Sequence, residues 1–190
     1  MVGPGITRDR AMELLNMYLP QENLRRHCIA SEAVMRRLAN RMNADPDTWG
    51  LAGLLHDLDY NETKDDMARH GLITASILEE EGVSGEIIEA IKAHNSEYTG
   101  FLRRHPIDFA LTAGETMTGL IVAVTLVYPD KKITSVRPRS IVKRIKEKGF
   151  ARGVSREKIL LCTKIGMEID EFASLCLEAM TSVSSTLGLA

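Results

Sequence analysis

Residues 45–60 read Asp45-Pro46-Asp-Thr-Trp49-Gly-Leu-Ala-Gly-Leu-Leu-His56-Asp57-Leu-Asp59-Tyr60, and this stretch decides the fold. Asp45 is a good N-cap and Pro46 suits the first helical position, so a helix starts here. Trp49, Leu51, Ala52, Leu54 and Leu55 make it apolar nearly all round, as expected of a helix buried on most sides. It ends near Asp57, with an imidazole and a carboxylate side by side at its C-terminal end.

Helical patterning continues in both directions. Upstream, Thr7 caps a helix to about Tyr18, with Met12, Leu15 and Leu19 on one face, and Pro20 interrupts it. A second helix runs from about Glu22 to Met42, with Leu24, Cys28, Met35, Leu38 and Met42 at helical spacing. Downstream, Asp59 to Met67 is polar and reads as a loop. A helix from about Arg69 to Glu81 carries Ile73 and Ile77 and stops at Gly82. Ser84 caps another with Ile87, Ile88 and Ile91, ending near His94. Pro106 opens a long helix to about Val127, closed by Pro129. Lys131 to Pro138 reads as a loop, and Ser140–Lys148 and Ser155 to about Thr186 as the last helices. The spacing predicts an all-α, single-domain helical bundle over 1–190. Residues 22–125 hold its chemistry, and a basic segment with the C-terminal helices spans 131–190. The C-terminal apolar positions Ile165, Ile169, Phe172, Leu175 and Met180 either finish the bundle or pair with a partner, which leaves room for a homodimer.

The chain's 190 residues are 44% hydrophobic and 26% charged with a formal net charge of −2, which gives no general affinity for nucleic acid or an acidic membrane surface. Charge is uneven, however: Lys131–Lys164 holds twelve Lys or Arg against two Glu. Phe150 is the one aromatic there, so the segment lacks the stacking residues of a nucleic-acid groove. Cys28, Cys162 and Cys176 are far apart without CxxC spacing, which fits packing in a reducing compartment. Met1 to Asp9 shows no charged region followed by an apolar run, and the most apolar stretch, Thr116–Tyr128, is shorter than the ~20 residues a membrane span needs. The expectation is a cytoplasmic protein.

The polar residues on these helices are unusual. His27 lies beside the apolar stripe of its helix, His70 precedes Gly71 at a helix start, and His94 follows Ile87 and Ile91 at a helix end. Glu115 is the one charged residue between Asp108 and Asp130, on a stripe with Thr112, Gly119 and Val122. A buried carboxylate must be paired, protonated or bound to a cation. A salt bridge to Arg103 or Lys143 and a metal both answer that need. Taken together, four histidines and two carboxylates at inward positions or helix ends match the way helix bundles build metal sites, and imidazole with carboxylate suits divalent ions.

In this order the residues resemble the HD-domain superfamily of metal-dependent phosphohydrolases, whose pattern is a His, a His-Asp pair and a distant Asp. His27, His56 and Asp57 match the first three positions, and Glu115 stands where the family usually has Asp. His70 and His94 match the further histidines that hold a second metal in many members, while Asn95 replaces a histidine that often follows. The resemblance covers about residues 22–125. It implies hydrolysis of a phosphate ester of a nucleotide or related small molecule, with one or two divalent ions (Fe, Mn, Zn, Ni or Mg). His27, His56, Asp57 and Glu115 would hold the first ion, Asp57 would bridge to a second on His70 and His94, and the nucleophile would be hydroxide carried by the metal.

Asp57 and Asp59 are the candidate catalytic carboxylates. Asp59 would orient the attacking water or a histidine, or simply cap a turn. Candidates to contact substrate are Lys64, Asn95, Arg137, Lys143 and Lys146. Two other readings fit the same residues: a di-iron oxygenase of the superfamily, and a non-catalytic nucleotide-binding regulator, the latter favoured by Glu115 and Asn95.

Overall fold

The structure, a computed structural model, describes residues 3–190. Met1 and Val2, the first residues of the leader reading, lie outside the described residues.

Helices α1 (Arg8–Tyr18), α2 (Glu22–Arg41) and α3 (Pro46–Leu55) form one side of the bundle. Thr7 caps α1 by accepting from Arg10 N, and Asp45 caps α3 by accepting from the amides of Asp47 and Thr48. All eight residues Thr48–Leu55 are buried, as the uninterrupted apolar pattern of α3 requires. Its close approach to α2 depends on Gly53. A Cβ there would stand 2.6 Å from the backbone oxygen of Ser31, so any larger residue pushes the two helices apart. Glu32, which sequence patterning alone does not single out, joins α1 to α2, and Arg36, which it also holds, carries the link to α3 by donating to the Pro46 carbonyl and Asp47. Both Glu32 oxygens accept from Arg8, at 2.7 and 2.9 Å, and Oε1 also accepts from Arg36 at 2.9 Å.

The segment expected to be a loop over 59–67 contains a one-turn helix, α4 (Tyr60–Thr63). Its polar sequence hides it, because its stability comes from tertiary bonds to Asp59 rather than from an apolar stripe. The next helix, α5 (Leu72–Glu80), starts later than Arg69, because Gly71 takes a left-handed conformation (φ +86°) just before it. Helix α6 (Gly85–His94) is followed by a single turn, α7 (Ser96–Thr99).

Helix α8 (Pro106–Leu126) runs through the middle. It is long and apolar enough to cross a membrane by composition, but 61% of its most apolar window is buried inside the bundle. It touches α2, α6, the 3-10 turn at Leu160–Ile165 and the helix at Ile169–Ser182. The expected C-terminal helices are more broken than the patterning indicates. Helix α9 (Pro138–Lys146) is followed by α10 (Arg156–Ile159), that 3-10 turn, α11 (Ile169–Ser182) and α12 (Ser184–Leu187). Gly166 at positive φ marks the interruption before α11. Phe172, Cys176 and Met180 of α11 are buried against the core, so this helix finishes the bundle. The described residues contain helices and turns and no strand.

Candidate metal centre

Six residues from five elements meet at one end of the bundle. His27 comes from the first half of α2, and His56 and Asp57 from the C-terminal end of α3. His70 comes from the turn before α5, His94 from the last residue of α6, and Glu115 from the middle of α8. His56, Asp57, His70 and His94 are buried. His27 (25% exposed side chain) and Glu115 (16%) mark the open side.

Every histidine is fixed through its Nδ1. Nδ1–H of His56 donates to the Gly53 carbonyl at 2.9 Å, and that of His94 to the Ile91 carbonyl at 2.6 Å. His70 Nδ1–H donates to Asp59 Oδ1 at 2.8 Å. For His27 the partner is the Thr118 hydroxyl, 3.0 Å away. That hydroxyl gives its own hydrogen to the Glu115 carbonyl at 2.7 Å, so it accepts from His27. Carbonyls and carboxylates only accept, so in each ring this bond places a hydrogen on Nδ1 and leaves Nε2 facing inward, the atom that can ligate a metal.

These four Nε2 atoms converge. Those of His27 and His56 are 3.3 Å apart, and those of His70 and His94 are 3.1 Å apart. Asp57 lies between the two pairs. Its Oδ1 is 3.3 Å from His56 Nε2, 3.3 Å from His70 Nε2 and 3.8 Å from His94 Nε2, while its Oδ2 is 3.7 Å from His27 Nε2. Glu115 Oε2 is 3.9 Å from His27 Nε2. Two ligand groups result, His27–His56–Asp57 and Asp57–His70–His94, each with ligand atoms within 4.8 Å of one another. Ligands about 2.0–2.2 Å from a common ion stand roughly 3–4 Å apart, so the spacing fits a first-row divalent ion. Lone pairs pressed together at these distances repel, and a cation between them removes the repulsion.

The electrostatics point the same way. Burial works against charge on His70, but its bonds to Asp57 and Asp59 overcome this and push it up to about 9. Burial pushes His27 down, and burial with the neighbouring His70 and His56 pushes His94 well down. Burial alone would raise Asp57, yet the surrounding histidines hold its carboxyl well below the usual range. The cluster therefore takes one proton, on His70, resists a second on His27 or His94, and keeps Asp57 as an anion. That is a site prepared for positive charge.

The remaining sequence candidates fall outside this shell. Asp59 is buried and faces away from the Nε2 side. Besides His70, its Oδ2 accepts from the amides of Gly71 at 2.8 Å and Thr74 at 2.9 Å, so it both caps the start of α5 and orients His70. Asn95 is buried beside His94, but its amide nitrogen is held by the Met67 carbonyl at 2.7 Å. Lys64 is exposed at the end of α4. Arg137, Lys143 and Lys146 are exposed on or beside α9, and no hydrogen bond or ion pair among the described residues ties them to the cluster. Glu115 is less buried than its helix pattern indicates and pairs with neither Arg103 nor Lys143. Arg103 is bound to Glu97, Thr112 and the His94 carbonyl instead, and the Glu115 carboxylate accepts from the Thr116 hydroxyl. The residues that patterning misses are Gly53, Thr118 and Gly71. At Gly71 a Cβ would stand 2.9 Å from the Ile91 oxygen and 3.1 Å from the His94 ring, so only glycine leaves that ring its place.

The family model for the HD domain matches residues 24–173, which extends the similarity well beyond the metal-ligand helices into α11. With the His, His-Asp and distal carboxylate pattern assembled in one cluster, the chain belongs to the HD-domain family.

Proposed function

We propose that this protein is a metal-dependent phosphohydrolase acting on a phosphate ester of a nucleotide or related small molecule. The observation that carries the reading is the convergence of four histidine Nε2 atoms on the Asp57 carboxylate, with every Nδ1–H already engaged. One or two divalent ions bound there would supply a Lewis acid for a phosphoryl oxygen and a water of lowered pKa. His27, His56, Asp57 and Glu115 would hold one ion, and Asp57, His70 and His94 the second. Asp59, Thr118 and the carbonyls of Gly53 and Ile91 act as positioning groups that fix the rings. The exposed edges of His27 and Glu115 give the side from which a phosphate arrives. Lys64, Arg137, Lys143 and Lys146 are the cationic candidates to meet it. The three buried, unbridged cysteines fit a cytoplasmic setting.

The test is metal content per chain by elemental mass spectrometry on anaerobically purified protein, followed by a phosphatase and phosphodiesterase screen with the loaded metal. Two equivalents with turnover support the binuclear hydrolase, and one equivalent with turnover supports a mononuclear one. A chain that takes up no Fe, Mn, Zn, Ni or Mg overturns the reading and leaves a non-catalytic binding module. The position of Asp57 between two histidine pairs also favours a di-iron oxygenase as the second reading. Two irons, no phosphatase turnover and an oxygen requirement would select it.

A further inference from the structure

The chain's charge is divided between two regions. Of its 24 Lys or Arg and 26 Asp or Glu, residues 131–164 hold twelve and two, leaving twelve and 24 for the rest. The net charge is thus +10 in one short segment and −12 elsewhere. Outside the segment most bases are paired, as in Arg10–Glu81, Arg36–Asp47 and Arg41–Glu171. Inside it, Arg144 pairs with Glu147 and Lys158 approaches Glu97, while Lys146, Lys148 and Arg152 have no ion-pair partner among the described residues.

Those three cations line one cavity of about 590 Å³ between α9, the 147–155 segment and α10. Beside Ser155, its other walls include an apolar part formed by Ile145, Val154, Leu160 and Ile169, with Leu160 46% exposed. Glu157 is the one acidic residue that lines it. Arg156 also contributes to the lining, and its guanidinium holds the segment in shape. It donates to the carbonyls of Ala151 at 2.7 Å, Val154 at 2.6 Å, Glu147 at 3.3 Å and Arg144 at 3.4 Å, and to that of Phe150. No carboxylate pairs with it, and its Nε is buried without a partner. A half-buried guanidinium matched by carbonyl dipoles, and by no carboxylate among the described residues, leaves positive charge without a counter-ion. The cavity therefore combines fixed positive charge, three unpaired cations at its rim and an apolar wall.

We propose that this cavity is a second ligand site, distinct from the histidine cluster, for a small organic phosphate or phosphonate. Lys146, Lys148 and Arg152 bind the anionic group, and Ile145, Leu160 and Ile169 receive the apolar body. The volume lies in the range of small-molecule sites. A nucleic-acid strand fits less well. The segment has one aromatic ring, Phe150, and the Arg144 guanidinium lies over one face of it at 4.5 Å, so it lacks the row of aromatic platforms on which successive bases stack. Val154, which lines the cavity, also faces Gly119, one turn beyond Glu115 on the same face of α8, so the cavity lies one helical turn along from the Glu115 edge of the histidine cluster.

The test is a titration of the full ¹⁵N-labelled chain, in chelator so that the metal centre does not compete, with phenylphosphonate. Inorganic phosphate and phenol are titrated in parallel. Saturable amide shifts confined to residues 142–169, with phenylphosphonate about tenfold tighter than either half-ligand, are expected. A Lys146→Ala/Arg152→Ala chain should then lose about tenfold or more in affinity, the scale of one or two charge-assisted bonds, while Asp57→Ala keeps it. The cations are exposed, so these variants are expected to fold, and their unshifted spectra elsewhere would show it. Equal affinity for inorganic phosphate, shifts that map to the histidine cluster, or no saturation at roughly millimolar ligand would each overturn the proposal. So would displacement of phenylphosphonate by a much tighter single-stranded RNA or anionic vesicle.

Discussion

The Nε2 atoms of His27 and His56 stand 3.3 Å apart, and the hydrogen of each ring is committed on its far side, to Thr118 and to the Gly53 carbonyl. Two lone pairs at that separation are a local cost of the fold. A ligand that removes such a cost binds the native state alone and stabilises it. At a metal concentration about a hundredfold above Kd, the gain is about 2.7 kcal/mol. For a chain of this length that corresponds to roughly 5–10 °C in Tm. Melting with Mn or Zn against chelator checks it, and an unchanged Tm would contradict the site.

Thr118 separates a positioning role from mere packing. It is buried on α8, accepts from His27 and donates to its own helix at the Glu115 carbonyl. Thr118→Val keeps the shape and removes both bonds, freeing the His27 ring to turn and to change tautomer. Metal affinity should fall by about 10–100-fold with little loss of helicity. Thr118→Ser, which restores the oxygen, should recover most of it. Equal affinity for Val and Ser at this position would assign Thr118 to packing alone.

The outline of the fold is legible in the sequence because α2, α3, α6 and α8 carry apolar spacing with clear starts and stops. His27, His56, Asp57 and Glu115 are legible because they break that spacing in an ordered set. Thr118 is not, since a mid-helix threonine gains meaning only from a histidine 91 positions away. The short helix at Tyr60–Thr63 is hidden for a related reason. The Thr63 hydroxyl lies 3.1 Å from His70 Nδ1, and Asp59, which opens the turn, accepts from the amides of Gly71 and Thr74, contacts that no local pattern announces. Glu115 shows the opposite failure. Its isolation on an apolar helix indicates full burial, but the residue stands at the open side of the cluster.

Gly53 sets how close His27 comes to His56, because α2 and α3 touch backbone to backbone there. Gly53→Ala adds one methyl group into a contact with no side chain to give way. A loss of about 1–3 kcal/mol is expected from the overpacking, read by denaturant titration. Metal affinity should fall as well, because the Gly53 carbonyl is the partner of His56 Nδ1. If Gly53→Ala lowers neither, the close approach of the two helices is not needed.

Asp45 supports the same helix from its other end. Its carboxylate accepts from the Thr48 hydroxyl at 2.5 Å and the Thr48 amide at 3.0 Å, and these bonds hold its pKa below the usual carboxylate range. A depressed folded-state pKa means stability that is present above the unfolded value, about 3.9, and lost as pH falls through the lower folded value. Asp45→Ala should cost about 1 kcal/mol at neutral pH, as helix caps do. The gap between the two chains should close below about pH 4. A gap that persists in acid would show that the hydrogen bonds do not depend on the charge.

Asp57 and Glu115 predict opposite outcomes for two carboxylate substitutions. Asp57 lies 3.3 Å from both His56 and His70 and belongs to both ligand groups, so Asp57→Ala breaks each at once. Metal content and turnover should fall to background while far-ultraviolet dichroism stays near that of the parent. Glu115 sits at the edge, 3.9 Å from His27 Nε2, and its carboxylate is also held by Thr116. Glu115→Asp withdraws the oxygens by one methylene, about 1.5 Å. The other five ligands stay in place, so the chain should keep its metal, with weaker retention on the His27 side. Full metal content in Asp57→Ala would remove Asp57 from the centre. Complete loss in Glu115→Asp would instead make Glu115 an indispensable ligand, with the longer side chain required to reach the ion.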